Sequence, residues 1–205
     1  MFQDYTAALS STEQIEHNFQ HQTVMFYHHG YAEFYDGLVS LSLARYDEDH
    51  EKWIEKANKN ISQIRLKSSH SPNCLNKLSL LEAELAAANC DIKNAEACYV
   101  KAISLSRQFN FINDEALVCE RAGLFFLEMN SLEKACQYLS QSYNCYKEWG
   151  AVAKMEHLIE IHSFLKDVID ESITDVAAIM GNGKLGQKTD GSSSTISSLS
   201  QGRRR

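Results

Sequence analysis

Turn-forming residues are scarce in this sequence. One proline and nine glycines in 205 residues are too few for the turns of a many-stranded β fold, so a mainly helical chain is predicted. No apolar run approaches the roughly eighteen residues that a membrane span requires. The start, MFQDYTAALSSTEQ, lacks a basic stretch followed by an apolar core, so no secretory signal is read there and a cytoplasmic chain is expected. The six cysteines, Cys74, Cys90, Cys98, Cys119, Cys136 and Cys145, form no C-x-x-C pair. They read as reduced, buried small hydrophobes, with neither a metal site nor a disulfide framework. Positive charge is also short. The net charge is -7, and Lys184, Lys188, Arg203, Arg204 and Arg205 sit in the last stretch against Asp190 alone, which leaves the body more acidic still. An acidic body repels nucleic acid, and five scattered basic residues make a weak electrostatic footprint.

What is present is helical periodicity. Between Asp91 and Gly150 lie two amphipathic segments of one design, joined by a third helix. Ala95, Cys98, Tyr99, Ala102, Ser106 and Phe109 recur at three- and four-residue steps, and forty residues on stand Ala135, Tyr138, Leu139, Ser142, Tyr146 and Trp149. Such a period marks helical repeats, whose units bury their apolar faces by stacking on neighbours. Ahead of them, an aromatic inner helix is expected within 22–45, carrying Tyr27, Tyr31, Phe34, Leu38 and Leu41 on one face. A helix over 49–68 follows, with Asp47 as candidate N-cap. A break at Ser69-His70-Ser71-Pro72 leads to a helix from Pro72 to Ala88, with Ser71 as candidate cap. The connecting helix is placed from Asn113 or Asp114 to Glu128, Ser131 is read as an N-cap, and a final helix from Ala151 runs through Leu165. Short connections make successive helices antiparallel. The reading is therefore an all-α, tetratricopeptide-like antiparallel helical-repeat solenoid with a disordered C-terminal tail. Residues 1–21 form a polar N-terminal segment, 22–170 the repeat domain and 171–205 a Ser/Gly-rich tail.

The small and large residues Ala83, Ala86, Ala95, Tyr99 and Ala102, then Gly123, Phe126, Ala135, Leu139 and Ser142, resemble the tetratricopeptide pattern, though no proline ends either unit. A narrower resemblance covers roughly residues 20–165 and is most specific over 91–158. The run NAEACYVKAISLSRQFNFINDEALVCERAGLFFLEMNSLEKACQYLSQSYNCYKEWGAVAKMEHL resembles the helical region after the ATPase module of large multidomain signalling kinases. Those join a serine/threonine-kinase domain, an AAA-type ATPase module, a GAF sensor and a histidine kinase. The resemblance implies a connector, without kinase lysine strand, HRD loop, Walker A motif, GAF domain or histidine-kinase box. The chain is then a non-catalytic interaction scaffold, or else a fragment of such a kinase that relays between modules. Its partners would be a protein or peptide, or kinase and ATPase modules of the same system.

Candidate chemistry is sparse. Gly181, Gly183 and Gly186 spell G-x-G-x-x-G, but no strand precedes and a Ser-rich tail follows, so no nucleotide site is assigned. His17 and His21 stand four apart without a third ligand, and no metal or other cofactor is expected. His28, His29, His157 and His162 read as ordinary helix residues, and Ser192 to Ser200 as a solvated tail. Tyr143 and Tyr146 are the candidate protein-binding surface, whereas Tyr99 and Trp149 are assigned to inter-helix core. Exposed apolar ends of a two-repeat stack predict a homodimer or a neighbouring domain as cap.

Overall fold

The structure, a computed structural model, describes residues 5–19 and 30–166. Among these every regular element is helical: α1 (Tyr5–Phe19), α2 (Tyr31–Ala44), α3 (His50–Ser68), a 3₁₀ turn (Pro72–Cys74), α4 (Leu75–Ala88), α5 (Ile92–Gln108), α6 (Ile112–Glu128), α7 (Leu132–Trp149) and α8 (Val152–Ile161). The expectations for 171–205, for the glycine and serine motifs there, and for Tyr27, His21, His28 and His29 lie outside the described residues.

The closest packing is between chain neighbours, α2 with α3, α4 with α5 and α6 with α7. The first helices of the pairs also touch in order, α2 on α4 and α4 on α6, while α1 lies against α2. One buried register recurs. Counted from the N-caps Asp49, Asp91 and Ser131, the same four positions are buried in the second helix of each pair. They are Trp53, Ala57, Asn60 and Ile64 on α3, Ala95, Tyr99, Ala102 and Ser106 on α5, and Ala135, Leu139, Ser142 and Tyr146 on α7. The α3 copy is invisible to a fixed forty-residue shift because its N-cap precedes Asp91 by forty-two positions.

Turns repeat as well. Cys90, Asn110, Asn130 and Gly150 all take the left-handed conformation (φ 60°, 56°, 54° and 82°). Each closes a Schellman motif: the following N–H reaches back to Ala86, Ser106, Phe126 or Tyr146 at 2.8–2.9 Å. The residue whose N–H closes each motif is also the N-cap of the next helix, at Asp91, Phe111, Ser131 and Ala151. This moves the start of α6 to Ile112 and takes Asp114 into the helix. The one N-cap side-chain bond of these turns is at Asp91, which was not read as a cap from sequence and accepts from the Asn94 N–H at 3.2 Å. Ser71 and Ser131 make no side-chain cap bond, and Asp47 instead accepts from the Asp49 N–H at 3.0 Å.

Only Gly150 of the four suits φ > 0 without strain. Cys90 is exposed, so Cys90→Gly relieves left-handed strain at no packing cost. It is expected to raise the unfolding free energy by about 0.5–1 kcal/mol in urea titration. A Cβ at Gly150 would meet nothing, so Gly150→Ala tests the backbone alone and shifts the midpoint the other way.

Two apolar clusters form the interior. The larger joins α2 to α6 through Leu38, Leu41, Ile61, Leu81, Tyr99 and Phe125. The smaller centres on Leu139, Tyr146, Leu158 and Leu165. Two glycines set helix spacing: a Cβ on Gly37 would stand 3.0 Å from Leu81, and one on Gly123 only 2.5 Å from Leu139.

Candidate interaction surface

The first helices of the pairs carry charges inside this apolar frame. Lys77 and Glu84 on α4 stand seven residues apart, as do Asp114 and Arg121 on α6. The two pairs meet crosswise. Lys77 Nζ binds Asp114, and Arg121 Nη2 binds Glu84 Oε2 at 2.6 Å. Glu120 on α6 continues the series to α8, accepting from Lys154 Nζ at 2.7 Å.

Glu84 is fully buried and is the hub. Arg121 also donates through Nε to Oε1 at 2.9 Å, Tyr99 O–H donates to the same oxygen at 2.7 Å, and Arg45 Nη2 lies 3.2 Å from Oε2. Burial works against the charged carboxylate, but Arg121 first, then Arg45, with hydrogen bonds from Arg121 and Tyr99, hold its pKa at about 2. A depressed carboxylate pKa gives stability that is present above the unfolded value near 4.5 and is lost as pH falls towards 2. Acid titration at constant urea is therefore expected to show an unfolding step below pH 4.5 that Glu84→Gln removes, with a lower plateau at neutral pH.

Lys77 is enclosed by aromatic rings, with its ammonium 5.1 Å from Tyr31, 5.4 Å from Phe111 and 5.8 Å from Phe34. Asn76 supports Asp114 at 2.7 Å. Above this pair Tyr31 and Tyr35 stack at 6.5 Å between centroids and stay 44% and 41% exposed. Partial burial, then the charges of Asp114 and Tyr31, raise the Tyr35 pKa.

The two tyrosines named from sequence stand differently. Tyr146 is 3% exposed, and its hydroxyl donates to Glu120 Oε2 at 2.6 Å. Burial, then Glu120, push its pKa well up. Tyr143 is half-buried at the edge of the smaller cluster. Tyr99 is core, as its spacing implies, whereas Trp149, in the last turn of α7, is 54% exposed. Its ring lies 6.5 Å from Tyr146, and Tyr35 is near enough to act on the Tyr146 hydroxyl. Of these rings, those of Tyr31, Tyr35 and Trp149 are the accessible ones. His162 is buried, and burial lowers its pKa; His157 is half-buried. Among the described residues no group of three His, Cys, Asp or Glu is placed to hold a metal. No described helix is long and apolar enough to cross a membrane.

No family model and no solved structure matches the chain. A 55-residue stretch, 27% of the chain, is 36% identical to hybrid signal transduction histidine kinase G of Dictyostelium discoideum. The similarity is to a signalling kinase. It covers 2% of that protein's length, so the chain spans a small fraction of the curated relative it matches.

The charged spine was missed in the sequence. Its signal was present as charges inside apolar runs, Glu84 within LLEAELAAA and Glu120-Arg121 within EALVCERAGLFF. Tyr31 was read onto one inner-helix face with Phe34, Leu38 and Leu41, whereas the structure buries Phe34 and leaves Tyr31, with Tyr35 stacked on it, partly open.

Proposed function

We propose that the chain is a non-catalytic interaction module, a scaffold or connector in a signal-transduction protein, whose helix pairs make a tetratricopeptide-like solenoid. The observation that carries the signalling role is the 36% identity over 55 residues to a hybrid signal transduction histidine kinase. The recurrent buried register of α3, α5 and α7 supports the solenoid. Exposed Tyr31, Tyr35 and Trp149, beside the half-buried Tyr143, give it rigid aromatic contacts of the kind that anchor protein interfaces. A second reading is favoured by the small share of the relative that is matched: the helices are part of a longer kinase and relay between its ATPase and sensor modules.

Size measurement in source-cell lysate tests both. An antibody to the Trp149 region is used on denaturing gels and on gel-filtration fractions. The proposal predicts elution in a complex much larger than the polypeptide on the gel. It also predicts that Tyr31→Ser with Tyr35→Ser returns the chain to its own size while circular dichroism stays unchanged. Elution as a free monomer before any substitution refutes the scaffold. A gel band far above 23.2 kDa selects the second reading.

A further inference from the structure

The connection between α3 and α4 carries hydroxyl groups that neither the packing nor the aromatic surface uses. It runs Ser68-Ser69-His70-Ser71-Pro72 and contains the chain's one proline. Of its three serines, only Ser71 is set up to accept a group. Ser68 and Ser69 form the last residue and the C-cap of α3, with Ser69 still helical at φ -66°. Their hydroxyls donate to the Arg65 and Leu66 carbonyls at 2.8 and 2.7 Å. Ser71 has left the helix. Its backbone is extended, with φ -139° and ψ 103°, and its side chain makes no cap bond. Pro72 enforces that geometry, because its ring disfavours a helical conformation in the residue before it. Ser71 is partly exposed, and Pro72 and Asn73 after it are exposed.

We propose that Ser71 is a phosphorylation site, the substrate of a proline-directed protein serine/threonine kinase that uses ATP. Ser71 Oγ bonds to the γ-phosphorus and the bond from that phosphorus to the bridging oxygen breaks. ADP leaves, and the hydroxyl proton passes to a base of the kinase. The residue after the acceptor selects the kinase class. Any residue but proline brings an N–H into the kinase site at that point. A kinase with no acceptor there leaves the donor unpaired, and so rejects every residue except proline. Access requires little rearrangement. Two backbone bonds hold the loop, from Ser71 N–H to the Lys67 carbonyl at 3.0 Å and from Cys74 N–H to the Ser71 carbonyl at 3.1 Å. They close one turn and the short 3₁₀ segment, a unit small enough to open locally while the flanking helices stay folded. The fold also tolerates the product. A phosphate on Ser71 stands ahead of α4, where the helix dipole favours an anion, whereas one on Ser69 would oppose the dipole at the end of α3. The inference goes beyond the scaffold reading and holds equally for a free scaffold and for an internal connector.

The test incubates the purified full chain with source-cell lysate, magnesium and radiolabelled ATP, and locates the phosphate by mass spectrometry of its peptides. Label is expected on Ser71, and Ser71→Ala should remove it. Pro72→Ala should slow its incorporation by about tenfold or more while Ser71 itself is intact. Neither side chain is buried, and circular dichroism checks that both variants keep the fold. The phosphorylated chain is expected to melt no lower than the unmodified one. Label on Ser68 or Ser69 with Ser71 unmodified, or a Pro72→Ala rate equal to that of the native chain, overturns the proposal. So does an unlabelled full chain in a lysate that labels a free synthetic peptide of residues 65–77, since the loop is then closed to kinases in the folded protein. Absence of label from both chain and peptide overturns it as well.

Discussion

Arg121→Met is expected to lower the free energy of unfolding by about 3–5 kcal/mol, because it strands a buried carboxylate. Glu84 would keep Arg45 at 3.2 Å and the Tyr99 hydroxyl at 2.7 Å, but lose the two shortest bonds to a guanidinium. Neither oxygen of Glu84 reaches water, since the side chain is fully buried. Urea denaturation at pH 7 reads the effect directly. The charge-free variant Arg45→Met, Glu84→Leu and Arg121→Met is expected to recover most of the loss, because well-packed apolar residues often replace a buried ion cluster without penalty. A loss from Arg121→Met of no more than about 1 kcal/mol is what a solvent-exposed pair gives, and would contradict the buried hub. The triple variant also separates stability from register. Sliding α4 against α6 by a heptad sets Lys77 against Arg121, so the crossed pairs penalise the slip by like-charge contact.

Gly123→Ala is the second large effect. The added methyl would fall 2.5 Å from Leu139 Cγ, 2.8 Å from Cδ2 and 3.3 Å from the Leu139 backbone nitrogen. A side-chain clash alone could be relieved by a rotamer change, but the nearby backbone obliges α6 and α7 to separate. Overpacking of this kind costs about 1–3 kcal/mol, and the more tightly packed α6–α7 pair places this site near the upper end. Leu139→Ala creates a cavity and is destabilising by itself. Combined with Gly123→Ala it is expected to be less harmful than the two losses added, and the double-mutant cycle measures that coupling. Strict additivity would mean that the methyl and Leu139 do not compete for the same space.

Much of the all-helical fold was legible because its signals are local. Ala95, Tyr99 and Ala102 and their partners forty residues on stand at helical spacing and are all buried. The breaks between Ala88 and Asp91 and between Glu128 and Ser131 fall where the sequence places them. The third copy on α3 was hidden by its different offset and by a change of residue class. Trp53 and Asn60 stand where α5 and α7 carry Ala or Ser. The ends of helices were harder to read. Ser131 has the right residue type for a cap, yet its N–H serves the preceding Schellman motif and its hydroxyl makes no cap bond.

The surface was less legible, since exposure depends on which helix lies alongside. Tyr146 has the composition of a binding residue but is closed in by α8 and Glu120, while Trp149 has that of a core residue but stands past the last covered turn. Spacing within one helix cannot distinguish those cases. Glu84, Arg121 and Arg45 come from α4, α6 and the C-cap of α2, and pairing across elements leaves no periodic trace. The spine gives the inner helices one fixed register, and a fixed register is what a connector needs if it is to present Tyr31, Tyr35 and Trp149 in constant geometry.

That these helices hold signalling modules is tested most directly by crosslinking in source cells, followed by mass spectrometry of peptides containing the exposed Lys52, Lys101 and Lys147. The account predicts crosslinks from these lysines to a kinase, ATPase or sensor module, within one polypeptide if the helices are an internal connector and between polypeptides if they are a free scaffold. Crosslinks confined to the chain's own helices, at a depth that recovers its internal lysine pairs, would contradict it.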